Sequence, residues 1–600
     1  MKLKDQSPDQ AALSPQFRRC DGGGKRVDWQ GIHFVKVRGT AYERSRMHGE
    51  LLKTEIHSGA LPFLSRKNES LIRSAPGVFQ VKPFQNLVVE AYHRLLIRVL
   101  DLSSTPEARD AIKGICDGAG LPYEMGLRGA FQTEGLMLLS RVSVMKHILG
   151  QLAHRGGISG CSSAVALSEK TQLGRLLAAR NQDYPIVGPW ERHTTVLFQE
   201  PSERGRIPNV SVTTAGVHTS GLTSMNREGI TLFTHAHFGR RVSLKGTTVV
   251  NLGNEMIEKA RSIGEAVDSA RSNSRYANWA FVVTSAKEDQ AVVLEMTPDR
   301  VEVRECHEGF LTHSNFFQSP EHAGEEALLS GAYSEDLVAR VCSLQKTLHT
   351  YAGKLTPELL ASALGDSTDP DTGVERVVGN TVSVVTTVKS TVFDPLVQRL
   401  WVSTRDRSPQ ALEARFLEIQ ADRFWDEMEK SVENHQSPPS PEFISGYHPR
   451  APELAEAAQA YREAYQSWHM DALNPRRTEN TLGALRRATA IYPVEGNVWV
   501  QRGLVSFVGG HSEESKQSFE TALSCSITPH IRAVAELFLG RLADLRGKRK
   551  EALRWYYAGL GRATEPRLRV ALESGMKRRY MSWMRAQIQL DLQFPDAFHY

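Results

Sequence analysis

The stretch from Cys161 to Ser403 limits the fold more than any other part of the sequence. It is a succession of short runs rich in β-branched and aromatic residues, among them CSSAVAL, TTVLFQE, GITLFTH, NWAFVVTSA and QAVVLEMT, separated by Gly, Asn and Asp. Many closely spaced strands with turn residues between them predict large antiparallel sheets. Two stretches of helical periodicity interrupt them, NLGNEMIEKARSIGEAVDSARS and SEDLVARVCSLQKTLHTYAG, and strands return in NTVSVVTTVKSTVFD and QRLWVS. Upstream, PFQNLVVEAYHRLLIRVLDL and STPEARDAIKGICDGAG carry apolar residues three and four apart, which predicts helices. Strands and helices segregated in this way make an α+β domain.

A chain of 600 residues exceeds what one hydrophobic core supports, so further domains are expected. Residues 1–28 are polar and Gly-rich and read as a flexible leader, residues 29–160 as a helical segment, and 161–427 as the β-rich part. The proline-rich EKSVENHQSPPSPEFISGYHPRAP marks a linker over 428–452. The remainder, 453–600, is helical and repeats: Gly503, Ser515 and Phe519 recur as Gly540, Ala552 and Tyr556, each 37 residues later. With Trp499, Ala522 and Pro529 near the usual places, this spacing resembles the tetratricopeptide pattern.

Several function classes are disfavoured. A net charge of +5, from 73 basic against 68 acidic residues, makes no case for nucleic acid as a partner. The cysteines at 20, 116, 161, 306, 342 and 525 form no CxxC pair, which speaks against a zinc site or a disulfide scaffold and favours a reducing, cytoplasmic setting. No apolar signal segment opens the chain, and apolar runs stop short of a membrane span. The GGGK at 22–25 lacks phosphate-loop spacing. His235 and His237 in THAHFG share a strand face without a third ligand, so neither a metal nor a cofactor is expected.

The chemistry is expected at the junction GGISG–CSSAVAL. A lone cysteine is usually a small buried hydrophobe, but a hairpin through CSSAVALSEKTQLGRLLAARNQDY returns Arg180, Asn181 and Asp183 beside Cys161. Here the sequence resembles the N-terminal-nucleophile hydrolases, specifically the isopenicillin N acyltransferase family and more distantly the bile salt hydrolases and penicillin V acylases. The likeness rests on Cys161 followed by an RNxD-type segment, on Gly39, Glu43, Arg44, His48 and Gly49 upstream, and on DAIKGICDGAG at 110–120. It continues in GLTSMNREGI at 221–230, FLTHSNFF at 310–317, and VVTTVKSTVFDPLVQRLWVS.

That resemblance implies a four-layer αββα sandwich and a precursor that cuts itself between Gly160 and Cys161. The freed α-amino group, with a reference pKa of about 7.7–8.0, would take the thiol proton, and the thiolate would attack a linear amide to form a thioester. Water or an amine would then accept the acyl group, which leaves hydrolysis and acyl transfer both open. By the same resemblance Asp183 would hold the ammonium or thiol, Arg180 would favour thiolate, and Asn226 and Asn315 would be oxyanion donors. The family's arginine after a serine in the following helix is missing, because Glu335 follows Ser334; Arg340 is the candidate replacement for binding substrate. The implied partners are a small-molecule acyl amide, an acyl donor such as acyl-CoA, and a protein docked on the helical repeats. An inactive family member serving as a protein-binding scaffold is the alternative.

Overall fold

The computed structural model describes residues 16–73, 82–132, 134–135, 160–185, 187–243, 245–326, 330–404, 412–433, 440–470 and 474–600. Its strands begin with β1 (Gln16–Arg19), β2 (Lys25–Trp29), β3 (Ile32–Gly39), β4 (Gly160–Ala166), β5 (Leu177–Asp183) and β6 (Thr194–Pro201). They continue with β7 (Asn209–Thr214), β8 (Thr223–Asn226), β9 (Ile230–Ala236), β10 (Trp279–Ser285), β11 (Gln290–Met296) and β12 (Val301–Glu305). The last are β13 (Phe310–His313), β14 (Thr387–Asp394), β15 (Arg399–Ser403), β16 (Arg415–Gln420), β17 (Phe443–Ser445), β18 (Gln589–Asp591) and β19 (Asp596–His599). Ten of them form one sheet in the order β1-β2-β3-β6-β7-β8-β9-β10-β11-β12, and seven form a second in the order β13-β4-β5-β14-β15-β16-β17. Only the β3–β6 pair is parallel, among the described strands.

The helices that position the site are α1 (Ala41–Leu51), α2 (Ala60–Arg73), α3 (Pro106–Ala119), α4 (Tyr123–Ala130), α5 (Val249–Lys259), α6 (Ile263–Ser272), α7 (Gly331–Thr350) and α8 (Pro357–Leu364). Burial assigns the layers. Val165 and Ala178 of the smaller sheet share a core with Phe34, Val196 and Phe233 of the larger one, so the two sheets face each other. The outer face of the larger sheet packs through Val35 and Leu197 on α1 and α3, and through Leu232 and Val283 on α5 and α6. The outer face of the smaller sheet packs through Ala164, Ala179 and Val392 on α7 and α8. The order is therefore helices, sheet, sheet, helices. The two upstream motifs meet in one helix crossing: a Cβ on Gly49 of α1 would lie 2.5 Å from the Ile115 carbonyl, and one on Gly118 of α3 would lie 2.1 Å from the Arg46 carbonyl. Only residues without side chains permit so close an approach.

Three boundaries differ from the sequence reading. Residues 16–28, expected in the leader, form β1 and most of β2 at the edge of the large sheet. The polar composition hid the strand because Arg26 is a buried strand residue, its guanidinium meeting Glu55 at 2.6 and 2.9 Å and the Leu51 carbonyl at 2.6 Å. Gly22 and Gly23, both at positive φ, make the turn between the two strands. The expected linker 428–452 begins inside α9 (Phe424–Glu433) and contains β17, which pairs with β16. The C-terminal region is not held off by a linker either.

That region comprises α10 (Glu453–His469), α11 (Arg477–Ile491), α12 (Gly496–Gly509), α13 (Ser512–Ser524), α14 (Pro529–Leu545), α15 (Arg549–Leu560) and α16 (Pro566–Lys577), and it ends in the β18–β19 hairpin. The 37-residue recurrence corresponds to one contact made twice. A Cβ on Gly503 of α12 would touch the Phe519 ring of α13 at 2.7 Å, and one on Gly540 of α14 would touch the Tyr556 ring of α15 at 2.4 Å. These helices share a continuous core with Tyr333, Val377 and Val385 of the sandwich. Buried Arg376 pairs with Asp369 at 2.7 Å and with Glu495 at 3.4 Å, and Arg462 donates to Glu191. No described helix is long and apolar enough to cross a membrane.

Candidate active site

Pairing of β4 with β5 sets Gly160 opposite Asp183, Cys161 opposite Gln182 and Ser163 opposite Arg180. Side chains alternate along a strand, so Cys161, Ser163, Arg180 and Gln182 point between the two sheets, and Asn181 and Asp183 point to the layer of α7 and α8. Contacts agree: Ser163 Oγ lies 2.8 Å from His235 Nε2 on β9, and Asn181 Nδ2 donates to the Leu364 carbonyl at 2.7 Å.

Cys161 is buried, and Arg180 Nη2 lies 3.0 Å from its Sγ. The Arg180 guanidinium is fixed by the Leu222 and Thr234 carbonyls and by Thr223 Oγ1. The Cys161 backbone N–H donates to Asn315 Oδ1 at 2.6 Å, and Asn315 Nδ2 donates to the Ala236 carbonyl at 2.9 Å. Burial pushes the thiol pKa up against the pull of Arg180, which favours the neutral thiol.

Asp183 accepts from Thr387 Oγ1 at 2.6 Å and from Arg340 Nη1 at 3.2 Å. Burial pushes its carboxyl pKa up, and Arg340 opposes that shift. Arg340 also pairs with Asp336, and all three side chains are fully buried. This corrects the expected substrate-binding role of Arg340: it is an internal clamp behind Asp183 and does not line the cavity. Gly160 sits against the clamp, since a Cβ there would meet Arg340 Nη1 at 2.9 Å and Asp183 Oδ2 at 3.0 Å.

Asn226 is placed apart from this cluster. Its Nδ2 donates to the Ile257 and Ala260 carbonyls at 3.0 and 2.9 Å, and its Oδ1 accepts from the N–H groups of Glu228 and Ile230 at 3.0 and 3.1 Å. An amide with every position occupied has nothing to offer an oxyanion, so Asn226 ties the β8–β9 turn to α5. Asn315 is at the site: its Oδ1 holds the Cys161 amide nitrogen, and one of its two Nδ2–H groups goes to Ala236. His235 and His237 are committed to Ser163 and His313, the latter at 3.0 Å.

A cavity of about 340 Å³ opens on Cys161, Arg180, Gln182 and Asp183. Its apolar lining includes Leu61 and Leu64 of α2, Ile112 of α3, Phe131, Trp190 and Trp279. Arg44, Glu203, Arg206 and Glu258 line it too and pair with one another, Arg44 with Glu203 and Glu258 at 3.0 Å each and Arg206 with Glu258 at 3.2 Å. Three lining residues escaped the sequence reading. Glu134 has its carboxyl pushed up to about 7 by burial. Gln182 occupies the variable position of the RNxD-type segment.

The third is His218, whose tautomer follows from one backbone group. The Gly216 N–H donates to His48 Nε2 at 3.2 Å, so neutral His48 carries its proton on Nδ1 and donates to His218 Nδ1 at 3.1 Å. Burial keeps both rings uncharged. His218 therefore presents an Nε2–H. The motif histidine at 48 signalled this arrangement, but nothing in the sequence pointed to its partner.

Comparison with curated proteins finds no match to the chain. Residues 170–408, which include Arg180, Asp183, Asn226, Asn315 and Arg340 and begin after Cys161, match the family model of the acyl-coenzyme A:6-aminopenicillanic acid acyl-transferases, and this supports an enzyme that acts on amides or acyl groups.

Proposed function

We propose that this protein is a self-cleaving cysteine amidohydrolase or acyltransferase of the N-terminal-nucleophile type, acting on linear non-peptide amides. The observation that carries the reading is the environment of Cys161, with a guanidinium N–H 3.0 Å from Sγ and a side-chain carbonyl 2.6 Å from its backbone nitrogen. Scission before Cys161 would turn that nitrogen into an α-amine already held by Asn315 beside the thiol it must deprotonate. Arg180 would then stabilise the thiolate by its fixed charge. Asp183, clamped by Arg340 and Thr387, would hold the chain end, and the residue lost from it is the one whose missing side chain leaves room for the clamp.

The acyl-enzyme would be a thioester, open to water or to an amine. A cavity of about 340 Å³ with a mainly apolar lining suits a small acyl group. The C-terminal helices, with their tetratricopeptide-like recurrence, would both brace the sandwich and offer a surface to a protein partner. The test is to incubate the protein with a panel of N-acyl amides, quench in acid and look by peptide mass spectrometry for acyl adducts. Adducts confined to the Cys161 peptide support the reading; turnover that persists in Cys161→Ala refutes it.

A further inference from the structure

The described contacts leave few donors beside Cys161 for an oxyanion. Asn226 is saturated by the β8–β9 turn, and Asn315 gives one of its two N–H groups to Ala236. Arg180 is spread over two carbonyls, a hydroxyl and the thiol itself. Gln182 remains. It is directly across the β4–β5 ladder from Cys161, on the same face. Cβ atoms of such a pair are about 4.5–5.5 Å apart, so an amide two carbons beyond its own Cβ reaches the space over the neighbouring sulfur. Gln182 is 4% exposed and lines the cavity, and its buried Oε1 has no hydrogen-bond partner among the described residues. No described group receives its Nε2–H either. Most buried side-chain amides in folded proteins are paired, so an unpaired amide facing the cavity has its N–H groups available to a bound molecule.

We propose that the side-chain amide of Gln182 donates to the acyl oxygen of a substrate bound at Cys161 and is an oxyanion donor of this enzyme. The inference rests on Cys161 being the nucleophile. In the step concerned, the thiolate sulfur bonds to the acyl carbon while the carbonyl π pair moves to oxygen. That pair returns as the bond to the leaving group breaks: an amine departs with those electrons and the proton that the Cys161 α-amine took from the thiol, and nitrophenolate departs as the anion. The Nε2–H contact strengthens as charge collects on oxygen, so it acts on this step more than on ground-state binding.

Two reactions of the same thiol separate this role from packing. Acylation by p-nitrophenyl hexanoate passes through an oxyanion and releases nitrophenolate, whereas alkylation by iodoacetamide is a displacement at carbon with no oxyanion. Both rates are read on wild-type protein and on Gln182→Met and Gln182→Leu, which add no charge beside the thiol. The expected result is that acylation falls about 10²-fold in both variants, as for loss of an oxyanion donor elsewhere, with alkylation within about twofold of wild type. Unchanged acylation overturns the proposal, and so does an equal fall in both reactions, which would make Gln182 a support for the thiol. Failure of the underlying reading looks different: wild-type protein and Cys161→Ala would then release nitrophenolate at the same rate.

Discussion

Replacing Glu134 by Gln removes a charge from the cavity without changing its shape. Glu134 is 1% exposed, and its Oε1 accepts from the Val249 N–H at the start of α5 at 3.0 Å. An amide oxygen can accept the same bond. Burial moves the carboxyl from its ordinary 4.5 up to about 7. A carboxyl whose folded value is raised loses stability as pH climbs from the unfolded value through the folded one, because the folded protein then binds the proton more tightly than the unfolded chain does. A shift from 4.5 to about 7, at about 1.36 kcal/mol per unit, costs the wild type about 3 kcal/mol at pH 8 and under about 1 kcal/mol at pH 5. For 600 residues unfolding together at about 2.1 cal/mol/K per residue, 3 kcal/mol is a Tm difference of roughly 2–3 °C. Scanning calorimetry on both proteins at the two pH values gives the answer. Glu134→Gln melts above wild type at pH 8, with most of that gain gone at pH 5. A gain equal at both pH values, or a loss at pH 8, refutes the placement of an uncompensated carboxyl in the cavity.

Other predictions follow from the same contacts. Arg340→Met leaves Asp183 and Asp336 buried without their cation and costs about 3–5 kcal/mol in urea unfolding, part of it recovered by adding Asp183→Asn; unchanged stability with lost substrate binding would restore the substrate role. Asn226→Ala strips two carbonyls of their donor and destabilises by about 2 kcal/mol, while the rate of p-nitrophenyl hexanoate acylation is kept; the reverse pattern would return it to the oxyanion site. His530 and Asp596 are buried 2.9 Å apart, with the histidine pKa raised and the carboxyl pKa lowered by burial opposed and outweighed by their pairing. The histidine's contribution is present below its ordinary 6.5 and lost as pH rises through its raised value, so the Tm advantage of wild type over His530→Gln shrinks from pH 6 to pH 9. A gap independent of pH would leave His530 as packing alone.

Strand and helix periodicity made most of the sandwich legible, because residues such as Val165, Val196 and Val283 alternate inward and outward with little ambiguity. What hid β1 and β2 was Arg26, a charge that belongs in the interior only because Glu55, Asp28 and the Leu51 carbonyl surround it. Sequence spacing cannot show such partners. The same limit governs the site. Cys161, Arg180 and Asp183 converge because 22 residues of hairpin return along a strand, which the sequence does show. The duties of Asn226, Asn315 and Arg340 depend on which carbonyls and carboxylates reach them from the end of α5, from β9 and from β5, and those contacts are long-range. Gln182 was passed over because a variable position in a motif carries no signal until the cavity is seen to open on it.

The central claim is that the peptide bond before Cys161 is cut by Cys161 itself, and intact-mass analysis of purified protein with N-terminal sequencing tests it most directly. The account predicts two polypeptides, one ending at Gly160 and one beginning at Cys161, and a single full-length chain for Cys161→Ala. A wild-type chain that stays whole under conditions in which it turns over amides, or a Cys161→Ala chain cut at the same bond, would contradict it.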